Sequence, residues 1–225
     1  MDIEVLRRAP LFASLDDQAF AALTDDITEV DLSRGATLFY EGDPGDQLYF
    51  IVSGKIKLGR TATDGRENLV AIMGPGEIFG EMALFDPSPR STSATAVSET
   101  RLAAVKHESL RKAMEKSPQI SAQVLQALAR RLRRTNENLA DLVFSDFPGR
   151  VAKALLDLAD RFGRPATDGI LVAHELTQEE LAQLVGASRE TVNKALAEFV
   201  SRGWIRLEAR AVVILDLQRL RTRSR

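Results

Sequence analysis

The 225-residue chain contains no cysteine and only two histidines, His107 and His174. Without thiolates it cannot form a disulfide, a cysteine-ligated iron–sulfur cluster or a cysteine-based zinc site. A jelly-roll oxygenase needs two or three histidines and a carboxylate around one metal ion, and two histidines 67 positions apart do not supply that set. We therefore expect no metal and no enzyme, with His107 at the surface after the last strand and His174 in a wing or a loop.

Long hydrophobic runs are also missing. An apolar run such as Leu48–Val52 spans five residues, whereas a membrane helix needs about 20. The first ten residues lack the apolar region of a signal peptide, so we expect a cytoplasmic protein and no membrane partner. Apolar content of 44% and charged content of 28% are ordinary for a soluble protein, and the length suits two domains.

Charge is unevenly distributed along the chain. Residues 1–116 carry 13 basic and 19 acidic side chains, whereas residues 146–225 carry 13 and 11, within a total net charge of −2. A mildly basic C-terminal third is compatible with a polyanionic partner on one side only, but a solvated surface explains the imbalance equally well.

Residues 118–145 predict one uninterrupted helix, because they contain no glycine and no proline after the first position. Leucines recur along it at alternating gaps of three and four, the a/d pattern of a coiled coil. The predicted dimer seam consists of Leu125, Leu128, Leu132, Leu139 and Leu142. Thr135 occupies a seam position with Asn136 beside it. Polar groups at such a place either fix the register or meet a ligand.

A series of short β-branched and aromatic runs lies between residues 37 and 105. The runs are Thr37–Tyr40, Leu48–Val52, Lys55–Leu58, Leu69–Met73, Thr92–Val97 and Leu102–Val105. Turn signals and no helices separate most of them, which predicts a jelly roll or small barrel. A helical lead-in precedes them, with a capping-box pattern that begins at Ser14 and apolar positions as far as Ile27.

One segment, residues 79–92, interrupts the strands; we call it the cassette. It begins with Phe-Gly-Glu, continues with a short apolar helical turn, and ends with Arg-Ser-Thr. Backbone N–H groups beside a small-residue turn can bind an anion, and Arg90 can hold a phosphate through two hydrogen bonds. Glu81 can accept hydrogen bonds from a ribose hydroxyl. Taken alone, this spacing favours a surface ion pair between Glu81 and Arg90 over a ligand site.

Residues 177–199 have the pattern of a helix-turn-helix. Thr177 and Glu180 form a capping box, Gly186 ends the first helix, and Ser188 caps the second. One polar stripe at the start of the second helix holds Arg189, Glu190, Asn193 and Lys194. Arginine and lysine can bind guanine, and glutamate can accept from cytosine, so the stripe is suited to recognise bases in the major groove. An ordinary helical hairpin with a solvated face is the alternative.

The flanks of this motif complete a winged domain. Asp146 is a candidate N-cap for a helix that ends at Gly163, and residues 203–207 and 211–215 predict a two-stranded wing. We expect a frayed basic tail at the C-terminus, with phosphate contacts as the alternative. Its basic residues are Arg219, Arg221, Arg223 and Arg225.

The order of these parts resembles the cyclic-AMP receptor protein / FNR superfamily of bacterial transcription regulators. The runs ARRLRRTN, ADLVFSD, PGRVAKALLDLA and LTQEELAQLVGASRETVNKAL are similar to its actinobacterial cyclic-AMP receptor branch. The resemblance implies an α+β fold with a cyclic-nucleotide-binding β-roll (1–116), a central dimerisation helix (117–145) and a winged helix-turn-helix (146–225). Oxygen sensing of the FNR type is excluded by the missing cysteines.

The resemblance also implies roles for individual residues, with cAMP as the effector. The implied cAMP site consists of Gly80 and Glu81 at the ribose, Met82 and Ala83 in the same turn, Arg90 and Ser91 at the cyclic phosphate, and Thr135 and Asn136 at the adenine. The implied DNA contacts are Arg189, Glu190 and Lys194 at the half-site, with Thr177, Gln178, Ser188 and Thr191 at phosphates. Many relatives carry arginine where Lys194 stands, and lysine lacks the bidentate fork.

The implied function is a homodimer that binds a pseudo-palindromic operator with TGTGA-like half-sites. Cyclic AMP in the β-roll would re-orient the recognition helices through the central helix. Contact with RNA polymerase stays open. The alternatives are the same dimer acting constitutively or with cGMP, and a nucleotide-binding module whose helix-turn-helix binds another protein.

Overall fold

The computed structural model describes residues 6–7, 12–13, 15, 17–24 and 26–224. These residues form two compact units. The first unit comprises residues up to 60 together with 71–134, and the second comprises 61–70 and 135 onwards. The predicted boundaries at 116 and 146 stay predictions. Ser14 and Arg225 lie outside the described residues.

Two four-stranded sheets build the β-roll, with the strand orders β1-β8-β3-β6 and β2-β7-β4-β5. The strands are β1 (Thr28–Leu32), β2 (Thr37–Phe39), β3 (Gln47–Ser53), β4 (Ile56–Thr61), β5 (Glu67–Met73), β6 (Ile78–Phe79), β7 (Ser93–Ala96) and β8 (Thr100–Lys106). Antiparallel ladders join β3 to β8 and β4 to β7. The predicted roll is confirmed. Sequence reasoning missed β1, which has a polar, exposed face, and β6, which has only two residues.

The middle of the central strand β3, Leu48–Val52, is apolar because both of its faces pack in hydrophobic clusters. Leu48 and Phe50 belong to one hydrophobic cluster, which includes the helical residues Leu110 and Ile120. Tyr49 and Ile51 belong to the second cluster, which contains residues of both sheets. Successive side chains of a strand point to opposite faces, so one five-residue run serves two cores.

Four helices with described bounds begin in the first part of the chain. They are α1 (Asp17–Thr24), α2 (Met82–Phe85), α3 (His107–Lys116) and α4 (Pro118–Phe144). The long helix α4 confirms the predicted span to within one residue, and α2 is the predicted helical turn of the cassette. The lead-in helix α1 ends at Thr24, three residues before Ile27, the last apolar position expected in it.

The second unit surrounds a four-stranded antiparallel sheet in the order β11-β12-β10-β9. Its elements are α5 (Phe147–Phe162), β9 (Gly163–Ala166), β10 (Gly169–Val172), α6 (Gln178–Val185), α7 (Arg189–Ser201), β11 (Ile205–Glu208), β12 (Ala211–Ile214) and α8 (Leu217–Arg223). The predicted wing is the β11–β12 hairpin, but it is half of a larger sheet. Sequence reasoning missed β9 and β10, whose four-residue runs carry glycine and proline.

Side-chain caps set the ends of these helices, as predicted. Asp146 accepts from the Gly149 N–H at 2.9 Å, and Thr177 forms a reciprocal capping box with Glu180. Ser188 accepts from the backbone N–H three residues later, at 3.2 Å. Gly186 ends α6 in the left-handed conformation at φ 70°, which glycine adopts without steric cost. The caps therefore fix the turn between α6 and α7.

The expectation of a frayed C-terminal tail is wrong for the residues described. Residues 217–223 form helix α8, which Asp216 caps by accepting from the Arg219 N–H at 2.9 Å. Both outer nitrogens of Arg223 donate to the Asp146 carboxylate, at 2.9 and 2.7 Å. This bidentate pair ties α8 to the start of α5. Within the described ranges, no helix has the length and apolar character that would let it cross a membrane.

Candidate ligand and nucleic-acid sites

A pocket opens in the first unit beside the cassette. Its apolar wall includes Phe39, Leu58 and Phe79. Five of the predicted ligand residues line it, namely Gly80, Met82, Ala83, Arg90 and Ser91. Met82 and Ala83 belong to helix α2, and Gly80, Arg90 and Ser91 lie in the connections on either side of it. Arg131, which the sequence analysis did not single out, lines the same pocket.

Arg90 is a buried cation with an unused donor. Its Nη1 donates to the Gly80 carbonyl at 2.9 Å and its Nη2 to the Gln47 carbonyl at 2.8 Å. The guanidinium lies 4.4 Å from the centre of the Phe39 ring, and the residue is 7% exposed. Burial lowers the pKa of Arg90 from its usual value. Its Nε is buried and has no partner among the described residues, so the fork can still bind an anion.

Two glycines make room for this arginine. Gly80 has φ 82°, and a Cβ there would lie 2.7 Å from Arg90 Nη1. A Cβ on Gly45 would lie 2.9 Å from Arg90 Cζ. Any side chain at either position would therefore displace the guanidinium. Gly45 is 45 positions from Arg90 in the sequence, so the order of residues alone does not reveal this contact.

Glu81 is the buried anion of the site, at 1% exposure. Its Oε1 accepts from Arg131 Nη1 at 2.6 Å, and Arg131 Nη2 donates to the Ile78 carbonyl at 2.7 Å. The sequence-based alternative of an exposed Glu81–Arg90 pair is therefore wrong. Glu81 Oε2 is buried without a donor among the described residues. A carboxylate oxygen in that state can accept from a hydroxyl of a bound ligand.

His107 is not at the surface, contrary to expectation. It is 7% exposed, because it begins α3 directly behind the cassette, and its Nε2 lies 3.2 Å from the Gly80 carbonyl. Desolvation lowers its pKa, and the nearby charges of Arg90 and Arg111 act in the same direction. His174 lies in the predicted loop but is also buried, and its Nδ1 accepts from the Leu176 N–H at 3.0 Å.

The remaining predicted ligand residues lie at the surface. Ser91 is exposed, and its hydroxyl lies 3.8 Å from the Met82 sulfur. Thr135 and Asn136 are exposed on α4, beyond the stretch of that helix that packs on the first unit. Their assignment to the adenine stays a prediction.

The leucine stripe of α4 is largely uncovered in the single chain. Its exposed members are Leu125, Leu132, Leu139 and Leu142, with exposures of 59%, 62%, 61% and 53%. Leu128 differs, because it is half-buried against the hydrophobic cluster that contains Ile120 and Val124. A continuous exposed row of leucines on a polar helix is typical of a surface that another helix covers.

The helix-turn-helix presents its predicted polar residues to solvent. Arg189, Glu190 and Lys194 are exposed at the N-terminal end of α7. Three of the four predicted phosphate contacts, Thr177, Gln178 and Ser188, are exposed, and Thr191 is half-buried. Asn193 departs from the expectation, since its Oδ1 is buried without a partner among the described residues. The residue as a whole is half-buried, so it is less accessible than Arg189, Glu190 and Lys194.

Comparison with known families covers both halves of the chain. Residues 29–117 match the cyclic nucleotide-binding domain. Residues 149–223 match the Crp-like helix-turn-helix domain. The first match contains the pocket and the cassette, and the second contains α6, α7 and the wing.

Relatives and solved structures agree with these matches. A CRP-like cAMP-activated global transcriptional regulator of Mycobacterium tuberculosis is 58% identical over 222 residues, 99% of each chain. The cyclic AMP receptor protein of Thermus thermophilus is 38% identical over 188 residues, 81% of this chain and 84% of that one. The structure of FixK2 from Bradyrhizobium japonicum superposes with a TM-score of 0.80 at 25% identity, over 88% of this chain and 98% of that chain. The chain therefore belongs to the family of CRP-like, cAMP-activated transcriptional regulators, which are DNA-binding transcription factors and not enzymes.

Proposed function

We propose that two copies of this chain form a regulator that cAMP activates through the pocket of the first unit and that binds DNA through α7. The proposed cAMP site rests on two buried atoms, Glu81 Oε2 and Arg90 Nε, that have no partner within the described part of the chain. Each such atom costs about 1–3 kcal/mol when it is left unpaired. A ribose hydroxyl would donate to the carboxylate oxygen, and a cyclic phosphate oxygen would accept from the guanidinium.

The rest of the pocket suits the remainder of the nucleotide. Ser91 offers a further hydroxyl beside Arg90, and Met82 and Ala83 belong to the turn between Glu81 and the phosphate side. Thr135 and Asn136 would meet the adenine, one from each subunit. Asparagine carries both a donor and an acceptor, which match adenine N6 and N1. A polar pair that only fixes the helix register is the competing role.

The exposed leucines of α4 support a homodimer. Four leucine side chains more than half exposed leave a large apolar area in water, and full burial of each contributes about 1.5–3 kcal/mol. A second copy of α4 in a parallel coiled coil would cover Leu125, Leu132, Leu139 and Leu142. Leu128 would then contribute at the edge of the seam, since it already packs on its own chain.

The exposed start of α7 supports specific DNA recognition. Arg189, Glu190 and Lys194 would contact base edges of a half-site. The residues proposed at phosphates are Thr177, Gln178, Ser188 and Thr191. Two recognition helices in a dimer bind half-sites roughly 34 Å apart, so we propose a pseudo-palindromic operator, and the family resemblance suggests TGTGA-like half-sites.

Activation requires that cAMP favour one state of the dimer. A shift from 1:99 to 99:1 needs about 5.5 kcal/mol of differential binding, which two ligands per dimer would share. Smaller coupling would give a leaky regulator. We place its action in the cytoplasm with the DNA; a surface for RNA polymerase is not assigned.

Calorimetric titration of cAMP into the full chain and into Arg90→Ala tests the proposed cAMP site. The wild type should bind cAMP, and the variant should lose measurable binding, because among the described residues Arg90 is the only buried arginine or lysine that lines the pocket. Arg101→Ala, which removes an exposed cation from β8, should bind as the wild type does. Unchanged affinity in Arg90→Ala would contradict the phosphate assignment, and tighter binding of cGMP than of cAMP would favour a different effector.

A further inference from the structure

Helix α3 holds the cassette at two points. His107, the first residue of α3, meets the Gly80 carbonyl through Nε2 at 3.2 Å. Arg111, one turn later, donates from Nη2 to the Leu84 carbonyl at 2.8 Å. Residues four apart on a helix lie on one face, and the two carbonyls are also four residues apart in the cassette. Neither His107 nor Arg111 lines the pocket.

The Gly80 carbonyl has two donors. Arg90 Nη1 donates to it at 2.9 Å, and His107 Nε2 lies on it at 3.2 Å. A carbonyl oxygen only accepts, so His107 must carry its proton on Nε2. The same carbonyl therefore accepts from both the residue proposed to hold the phosphate and a residue behind it.

We propose that His107 and Arg111, named here the α3 clamp, position the cassette for cAMP, and that His107 lets Arg90 turn toward the phosphate. This inference rests on the proposed function of the pocket. A bound anion that accepts hydrogen bonds from Arg90 weakens the bond from Arg90 Nη1 to the Gly80 carbonyl. With His107 in place the carbonyl keeps a donor. Without His107 the same rearrangement leaves a half-buried carbonyl unpaired, a cost that appears as lost ligand affinity.

The surroundings of His107 suit this positioning role. Its backbone N–H donates to the Asp46 carbonyl at 2.8 Å, which also ties it to the loop beside Gly45. Burial and the neighbouring Arg90 and Arg111 lower its pKa, so the imidazole is neutral near pH 7. A neutral ring donates to Gly80 without adding a third positive charge beside the two arginines.

The clamp also connects the cassette to the long helix. Only Ser117 separates the end of α3 from the start of α4. Leu110 and Ala113 of α3 share one hydrophobic cluster with Ile120 and Val124 of α4. A displacement of the cassette on ligand binding is thus passed through α3 to the helix proposed for dimerisation.

Calorimetric titration of cAMP into the full-length protein tests the clamp with four variants. His107→Met and Arg111→Met remove the donors, His107→Gln restores a neutral donor, and Lys112→Met is the matched control on an exposed face of the same helix. We expect His107→Met to bind cAMP on the order of tenfold more weakly, which corresponds to one unpaired buried group. Arg111→Met should lose affinity in the same direction. His107→Gln should recover most of the loss, and Lys112→Met should match the wild type.

The outcomes separate the clamp from the proposed function. If the wild type and His107→Met bind cAMP with equal affinity, the clamp is contradicted but the proposed function is not. His107→Gln that binds no better than a folded His107→Met overturns the donor role. If His107→Met does not fold, His107→Gln and Arg111→Met carry the test, and wild-type affinity in Arg111→Met overturns the clamp. A wild type that does not bind cAMP contradicts the proposed function itself.

Discussion

Arg131 Nη1 of the long helix lies 2.6 Å from Oε1 of Glu81, a carboxylate that is 1% exposed in the β-roll. The pair satisfies one oxygen of Glu81 and leaves the other buried without a donor among the described residues. One side of the proposed ribose site is therefore held by α4. A ligand that bonds to the second oxygen acts on a group that the helix proposed for dimerisation already holds.

Glu81→Gln should weaken cAMP binding about tenfold while the protein stays folded. Glutamine keeps the shape of the side chain but removes the charge, and hydrogen bonds to charged groups contribute about 1.5–3 kcal/mol against about 0.5–1.5 kcal/mol for neutral ones. Calorimetric titration measures the change. Glu99→Gln, at an exposed carboxylate of the same unit, is the control. Equal affinities for Glu81→Gln and the wild type would mean that Glu81 serves only Arg131.

The features that could be predicted from the sequence are those with local causes. The capping box of Thr177 with Glu180 joins residues three apart, so its geometry follows from the residue types alone. Gly186 ends α6 for an equally local reason. The length of α4 follows from the absence of helix breakers after Pro118. The cassette was predicted because its Gly-Glu and Arg-Ser ends form a family pattern.

The features that could not be predicted depend on contacts distant in the chain. His107 was expected at the surface because it follows the last strand of the roll. It is buried instead, beside the Gly80 carbonyl, which lies 27 residues earlier in the chain. Arg131 is one of four arginines on α4, and the sequence does not show which of them contacts the β-roll. The structure shows it through the bond from Arg131 to Glu81, 50 residues earlier. Arg223 looked frayed because its partner, Asp146, is 77 residues away. Periodicity alone does not reveal such partners.

Thr135→Leu should give a tighter dimer that discriminates less between cAMP and cGMP. Leucine completes the apolar stripe of α4, but it removes the hydroxyl proposed to meet the base. Sedimentation measures the dimer, and competition between the two nucleotides measures discrimination. A tighter dimer with unchanged discrimination would assign Thr135 to helix register alone.

Leu132→Glu should separate the dimer into monomers. The substitution removes an apolar contact from both copies and places two like charges opposite each other in an apolar seam. Light scattering at fixed protein concentration gives the molar mass. Arg130→Glu introduces the same carboxylate at an exposed position off the leucine stripe and should leave the dimer intact. An intact Leu132→Glu dimer would show that the partner surface lies elsewhere.

Arg189→Ala should cost about 1–3 kcal/mol on the operator and little on random DNA, because a bidentate contact to guanine is specific to sequence. Arg202→Ala is the control, since it removes an exposed cation from the other end of the recognition helix. Fluorescence anisotropy at constant salt concentration measures the affinity of each variant for the operator probe and for the random DNA probe. Equal losses on operator and random DNA would make Arg189 a phosphate contact.

The most direct test is the affinity of the full chain for a pseudo-palindromic probe, with TGTGA-like half-sites one helical turn apart, measured with and without saturating cAMP at one salt concentration. If cAMP shifts the dimer between two states, it should tighten operator binding by tenfold or more, up to about 100-fold for a shift from 1:99 to 99:1. Random DNA should respond much less. An operator dissociation constant that is the same with and without cAMP would contradict activation through the pocket of Glu81 and Arg90.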